Sequence, residues 1–329
     1  MTDAQATDQL RQLVFGYRAA QAIHVAAELG IADLVADGAR SADDLAAATG
    51  ADPRTLYRLL RALAAIGVFR EEDYGRFAHT PLSKGLRSDV PGSMHPWACL
   101  IGRPEYWDSW GNLLHSVRTG ENAFRAVHGM SVWEYREKRP DESELFDRVM
   151  SAQTQRINQS LLDAYDFGRF RTVVDVAGGQ GALLLALLEA HPQTRGILFD
   201  QPHVVANALT HDRLDVVGGN FFESVPDGGD AYVLKWIIHD WRDDESVAIL
   251  RTVRAATRVA GTLILIERLI GEPNEDADTK FGDLNMLVMP DGQERTLDEY
   301  ARLFERADFR LVGATPTASS MYVIEAAPA

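Results

Sequence analysis

Apolar residues recur at helical spacing through the first stretch, from Asp3 to about Leu34: Leu10, Leu13, Val14, Tyr17, Ile23, Val25, Ala26, Leu29 and Ile31. No proline interrupts them, so the pattern predicts helix broken near Gly16 or Gly30. Apolar surface this close to a terminus needs cover, from the rest of the subunit or from a shared dimer face. Next, Ser41 with Asp44 three residues on predicts a helix start that Gly50 ends. Asp52-Pro53 starts another helix running to about Ile66, stopped by Gly67. The alternation from Val68 to Thr80 around Asp73-Tyr74-Gly75 predicts a β-hairpin, and helix, turn, helix and hairpin together spell a winged helix.

From about Pro91 to Phe170 helical spacing continues, with many aromatic and methionine residues, among them Trp97, Trp107, Trp110, Trp133, Phe146 and Met150. These serve as core or as the wall of a pocket for a flat apolar ligand. Beyond Arg171 the texture changes. VVDVA, GILFD, LDVVGG, AYVLKW and TLILIE read as short strands separated by helices starting near Gly181, Pro202 and Asp243, which implies a parallel sheet. After a helix near Leu297 to Ala307, the tail predicts two strands meeting at Pro316 to Ser320, an antiparallel finish.

Composition narrows the possible partners. The chain has 329 residues with 48 acidic against 33 basic side chains, and both the part before Phe170 and the part after it are negative, which argues against nucleic acid. Arg54, Arg58 and Arg61 share a helical face of the winged helix, but Ser41 to Val90 holds seven basic and seven acidic residues, so no basic footprint marks it as a DNA reader. The single cysteine, Cys99, forms no internal disulfide, and no apolar run reaches the ~18 residues of a membrane span. A cytoplasmic protein that binds neither membrane nor nucleic acid is the expectation.

The chemistry gathers at strand ends. The first strand of the second half runs into Asp175-Val176-Ala177-Gly178-Gly179-Gln180-Gly181 and then a helix, where an open α/β sheet receives a nucleotide-like ligand. Asp200 closes the next strand at the same edge and is placed to accept ribose hydroxyls. This pair suits an adenosine-type cofactor without choosing between NAD and S-adenosylmethionine, although the loop departs from the dinucleotide G-x-G-x-x-G spacing. The strand AYVLKW is followed by Ile237-Ile238-His239-Asp240-Trp241, so His239 stands just past the strand end facing the crevice, and its position marks it as a catalytic candidate. Glu267 ends the following strand, where a carboxylate can hold one imidazole nitrogen and leave the other to accept a proton.

FDQPHV, GGNFFESVP, VLKWIIHDW, IERLI and GQERT, with the glycine loop and the winged helix before them, occur in one order over nearly the whole chain. The chain thereby resembles the plant caffeic-acid-type and bacterial S-adenosylmethionine-dependent O-methyltransferases. The resemblance implies an α/β fold: a Rossmann-like class I methyltransferase sheet with an N-terminal helical winged-helix dimerisation domain. The expected division is 1–100 for dimerisation and 101–329 for catalysis, with a helical pocket segment at 101–170 and the core at 171–329.

Position by position, the resemblance implies that Asp175, Gly178 and Gly179 line the methionine end of S-adenosylmethionine and that Asp200 holds the ribose. Asn220 and Phe221 contact the adenine, and Lys235 lies nearby. His239 corresponds to the general base, with Glu267 and Glu294 as the acids that flank it. Phe146, Met150, Trp236 and Asp240 belong to the pocket of an aromatic acceptor. No metal is required, S-adenosylhomocysteine is the product, and the N-terminal region forms a homodimer. Two positions depart from the family: Ala177 stands where glycine is usual, and Asn220 where aspartate is usual. Methylation of nitrogen or carbon, a cofactor-dependent hydroxylation and a winged-helix regulator are the alternative functions.

Overall fold

Ser41 and Asp52 start their helices as their side chains predict. Ser41 Oγ accepts from the Asp44 amide at 3.1 Å and Asp52 Oδ1 from that of Thr55 at 2.8 Å, each satisfying an amide the helix leaves free. The computed structural model describes residues 2–329, and its contacts divide into two units. The first runs through Trp107 and includes Glu144–Ala152; the second comprises Asp108–Ser143 and Gln153–Ala329.

In the first unit the opening stretch breaks at both glycines, giving helices Asp3–Val14, Gly16–Glu28 and Ile31–Leu34. The helices Ala42–Thr49 and Pro53–Ala65 lie in the chain between β1 (Arg40–Ser41) and the hairpin of β2 (Phe69–Glu72) and β3 (Arg76–His79), and the three strands form an antiparallel sheet in the order β1-β3-β2. This is the expected winged helix. Its core holds Leu45, Leu56, Leu60, Leu63, Phe69 and Phe77, each side chain contributing about 1.5–3 kcal/mol on leaving water. The first helix buries none of its residues, and Leu10, Leu13 and Val14 on it are exposed.

The second unit is built on a seven-stranded sheet. Its strands are β4 (Thr172–Val176), β5 (Arg195–Asp200), β6 (Leu214–Gly218), β7 (Ala231–Lys235), β8 (Thr262–Glu267), β9 (Phe309–Pro316) and β10 (Tyr322–Pro328). The order is β6-β5-β4-β7-β8-β10-β9, with β4 to β8 parallel and the last two antiparallel. The chain starts at β4, winds out to β6, then crosses back to β7 on the other side of β4. The crevice that a Rossmann-like sheet offers a ligand therefore opens between β4 and β7 at their C-terminal ends. Val174, Val176, Leu234, Leu263 and Leu265 pack with Val247, Leu250 and Val253 of the helix Asp243–Ala256 into one core that fixes these strand ends. The helix near Pro202 is only one turn, Pro202–Val205.

Candidate active site

Two side-by-side strands carry the site. Past β4, Ala177 takes a left-handed conformation (φ 57°), which turns the chain into the glycine loop. An L-residue there costs roughly 1–2 kcal/mol relative to glycine, which is the physical content of that departure from the family. A Cβ on Gly178 would lie 2.6 Å from the Asp175 carboxyl carbon, so the backbone lies directly against that acid. At Gly179 (φ 62°) the same construction meets nothing within 4 Å, leaving open space over the loop.

The groups around this loop are incompletely paired. Asp175 is buried, and neither carboxylate oxygen has a hydrogen-bond partner. Burial pushes its pKa up, and the nearby Lys235 opposes the shift. Burial likewise pushes the Lys235 ammonium down, against the pull of Asp175 and Glu267, and its Nζ lies 4.1 Å from the Trp236 ring centroid. Asp200 Oδ2 accepts from the Gly179 amide at 2.8 Å, and its Oδ1 accepts from Gln201 at 2.6 Å. Asn220 Oδ1 closes its own turn by accepting from the Phe222 amide at 3.0 Å, which still leaves that oxygen a second lone pair. The Phe221 ring stands edge-on to Phe222 and Trp241.

Past β7 the geometry is tighter. Trp236 is buried in a left-handed conformation (φ 55°), with its indole N–H at 3.2 Å from Met321 Sδ, and the chain swings off the strand into a short 3₁₀ turn, Ile238–Asp240. Glu267 at the end of β8 accepts both amides of this bend on Oε1, Ile237 at 3.1 Å and Ile238 at 2.9 Å. His239 then points its Nδ1 at Glu294 Oε1, 2.9 Å away, with Glu267 Oε2 at 3.7 Å. Glu294 is held in turn, its amide donating to Asp283 Oδ1 at 2.9 Å. A proton on Nδ1 serves that contact, so in the neutral ring it is Nε2 that carries the free lone pair.

Burial lowers the His239 pKa, but Glu294, Glu267 and Asp240 outweigh it and push the value up to about 10. Burial raises Glu267 to about 7 against the pull of His239, and raises Asp240 to about 6 against His239 and Arg136. The donor atoms of His239, Glu267 and Glu294 lie within 4.8 Å of one another, a spacing a metal ion accepts. The imidazole–carboxylate hydrogen bond and the two backbone amides engage that set directly.

The three residues expected to form the catalytic group are thus brought together. Asp240, expected in the acceptor pocket, ends the 3₁₀ turn ahead of the helix Asp243–Ala256 and is partly buried, with Oδ1 3.6 Å from His239 Nε2. Arg136 and Trp133 of the helix Val132–Glu137 lie in the same unit, and the Trp133 ring stacks on Trp241 at 6.2 Å between centroids. Phe146 and Met150 fall in the segment Glu144–Ala152 of the first unit, and only the family resemblance speaks for their place in the pocket wall.

Sequence reasoning missed two residues of the GQERT string. A Cβ on Gly292 would lie 1.9 Å from the His239 carbonyl oxygen, so only glycine fits there, and Arg295 beyond it is completely buried. A glycine and an arginine on either side of Glu294 in one short string was the available signal.

A buried, unpartnered carboxylate and a buried ammonium at a glycine-lined strand end match the charges of an amino-acid zwitterion, such as the methionine end of S-adenosylmethionine. Comparison with known proteins points the same way. Residues 110–310 match the model of the O-methyltransferase domain, and residues 11–89 that of the O-methyltransferase dimerisation domain. The chain is 44% identical to the phenazine O-methyltransferase PhzM of Lysobacter antibioticus over 97% of this chain and 95% of that one. The crystal structure of LaPhzM superposes with a TM-score of 0.95 at 43% identity, covering 98% and 99% of the two chains. That of NcsB1, from neocarzinostatin biosynthesis, in complex with S-adenosylmethionine and 2-hydroxy-5-methyl naphthoic acid, superposes at 0.81 with 34% identity over 94% and 96%. With the winged helix, the sheet order and the strand-end groups in place, the chain belongs to the S-adenosylmethionine-dependent O-methyltransferases.

Proposed function

We propose that this enzyme methylates a hydroxyl of an aromatic or polyketide-type small molecule of secondary metabolism, with His239 as general base. When bound, S-adenosylmethionine supplies an electrophilic methyl group on a sulfonium. Asp175 would hold its ammonium, Lys235 its carboxylate and Asp200 its ribose, with Gly178 and Gly179 allowing close approach and Asn220 and Phe221 facing the adenine.

The observation that carries the reading is the 2.9 Å contact from His239 Nδ1 to Glu294, because it fixes the tautomer and leaves Nε2 as proton acceptor past the end of β7. The carboxylates push the His239 pKa up to about 10, close to the ~10 of a phenol, so once the ring has given up its Nε2 proton at higher pH the hydroxyl proton can pass to Nε2 at little cost. Glu267 holds the bend and Glu294 the ring, so neither has to reorganise during the transfer.

The homologues' aromatic acceptors and the stacked Trp133–Trp241 pair support a flat acceptor. A homodimer through the first unit is supported by the dimerisation-domain match and by the exposed apolar face of the first helix. No helix among the described residues is long and apolar enough to cross a membrane, and burial pushes the Cys99 thiol up to about 12, consistent with a cytoplasmic enzyme that keeps its one thiol inert.

The test is a panel of hydroxyphenazines, 1,4-dihydroxy-2-naphthoic acid and 3-amino-4-hydroxybenzoate incubated with S-adenosylmethionine, with products read by mass and NMR. A gain of one methylene unit on oxygen is expected. A gain on nitrogen or carbon, or of one oxygen atom, overturns the reaction type. With the best acceptor, His239→Ala is expected to slow turnover by about 10²–10⁴, and unchanged turnover removes the base.

A further inference from the structure

The arginine of the GQERT loop has no role in the proton transfer described above, yet its own donors are all engaged. Arg295 is fully buried, and all five N–H donors of a guanidinium find acceptors. Nη1 donates to the carbonyls of Ile238 at 2.9 Å and Gln293 at 3.3 Å, and Nη2 to the carbonyl of Trp241 and to Asp243 Oδ1, both at 2.8 Å. Nε donates to Asp243 Oδ1 at 3.1 Å. Two of these carbonyls bracket His239, one from the residue before it and one from two residues after. The main chain adds to the grip, since the Gln293 amide donates to the His239 carbonyl at 2.8 Å and the backbone of Gly292 presses on that same oxygen.

Burying a guanidinium for stability alone gains little, because its desolvation offsets the attraction to Asp243. What the contacts provide is geometry. We infer that Arg295 is a positioning residue for His239: its guanidinium ties both shoulders of the histidine turn to the loop that carries Glu294, so imidazole and carboxylate form one rigid part. This rests on His239 being the base. Without the clamp the turn and the loop are joined by fewer contacts, the Nδ1–Glu294 bond lengthens, and Nε2 loses its fixed aim. The charged groups that face the ring are Glu267 from β8, Glu294 from the loop and Asp240 from its own turn, with Arg136 near Asp240, Asp283 behind Glu294 and Tyr300 beneath both glutamates.

The experiment compares wild type with Arg295→Lys, which keeps the charge but not the fork. It uses histidine-labelled protein in NMR, the His239 signal being assigned by its loss in His239→Ala, and calorimetry with S-adenosylhomocysteine. The wild type is expected to show a downfield Nδ1 proton in slow exchange with water. In Arg295→Lys that proton is expected to be lost or to exchange at least tenfold faster, with S-adenosylhomocysteine affinity within threefold and kcat lower by about 10–10²-fold. An unchanged Nδ1 proton overturns the inference whatever the rate does. Loss of the proton together with a more than tenfold loss of S-adenosylhomocysteine affinity overturns it too, as general damage to the unit.

Should Arg295→Lys not fold, Asp243→Asn carries the same comparison: it keeps the guanidinium and removes its carboxylate partner. Faster Nδ1 exchange supports the clamp, and an unchanged proton overturns it. If His239→Ala turns over at the wild-type rate, the general-base reading fails by itself. If His239→Ala is slow while Arg295→Lys leaves both proton and rate unchanged, only the clamp fails.

Discussion

The ends of β4 and β7 are neighbours in one sheet, yet they are finished differently. Around the glycine loop, Asp175 keeps both oxygens unpaired and Gly179 faces open space. Around His239, the imidazole, the bend amides, two flanking carbonyls and a whole guanidinium are paired. The first is a surface completed by what binds to it. The second has its turn and its ring held by internal contacts before anything binds, with only Oε2 of Glu267 and of Glu294 left without a hydrogen-bond partner beside the ring. The two ends thus differ in how their turns are held, and the roles proposed for them can be separated by experiment.

The largest effect should come from crossing two variants. His239→Ala lowers kcat by about 10²–10⁴ and leaves S-adenosylhomocysteine affinity within a few-fold, as rapid-quench turnover and calorimetry will read. Asp175→Asn does the reverse, weakening S-adenosylhomocysteine about 10–10²-fold through loss of a charge-assisted contact, with kcat at saturation much less affected. If either variant moves both quantities equally, the contrast breaks.

Proton occupancy sharpens it next. His239 is protonated below about 10, so Nε2 cannot accept and the rate at saturating acceptor should climb from pH 7 toward 10. Glu267→Gln removes one of the carboxylates that raise this value, so the rise should shift to lower pH. The same pairing stabilises the fold, fully below the ordinary histidine value of 6.5 and progressively less as the pH rises through about 10. A rate independent of pH over that window would sink the assignment.

A smaller effect belongs to the turn at Ala177. Ala177→Gly relieves the left-handed alanine, which favours the native state by roughly 1–2 kcal/mol, less the roughly 0.5–1 kcal/mol entropy that glycine adds to the unfolded chain. Thermal melts should show a rise of a few degrees at most, and a fall would mean that the methyl group packs usefully. The smallest is a null result: dialysis against a chelator should leave turnover within error, because His239 Nδ1 is engaged by Glu294 Oε1 and Glu267 Oε1 by two backbone amides.

Much of this was readable along the chain, for local reasons. Ser41, Asp52 and Gly50 mark helix ends through contacts spanning three or four residues, and the alternation of short apolar runs with helices fixes a parallel sheet. His239 and Glu267 stand out because strand ends on one edge converge. What stayed hidden depends on distance in sequence. Arg295 reads as an ordinary loop cation until Ile238, Trp241 and Asp243, more than fifty residues earlier, are folded around it. Asp240 reads with the acids of a helix start because nothing local reveals that the chain pauses in a 3₁₀ turn first. The helix at Pro202 stops after one turn, and the membership of Glu144–Ala152 in the first unit is invisible in a helix that runs unbroken from Pro140 to Ala164.

Gly292 has a bearing on how such an enzyme can diversify. Any side chain there meets the His239 carbonyl oxygen, 1.9 Å from where its first carbon would sit. In a saturation library, that codon should return almost no active clones, and the codons for 294 and 295 few. Variation that alters the acceptor would then have to fall on other positions, leaving this loop against the histidine turn unchanged.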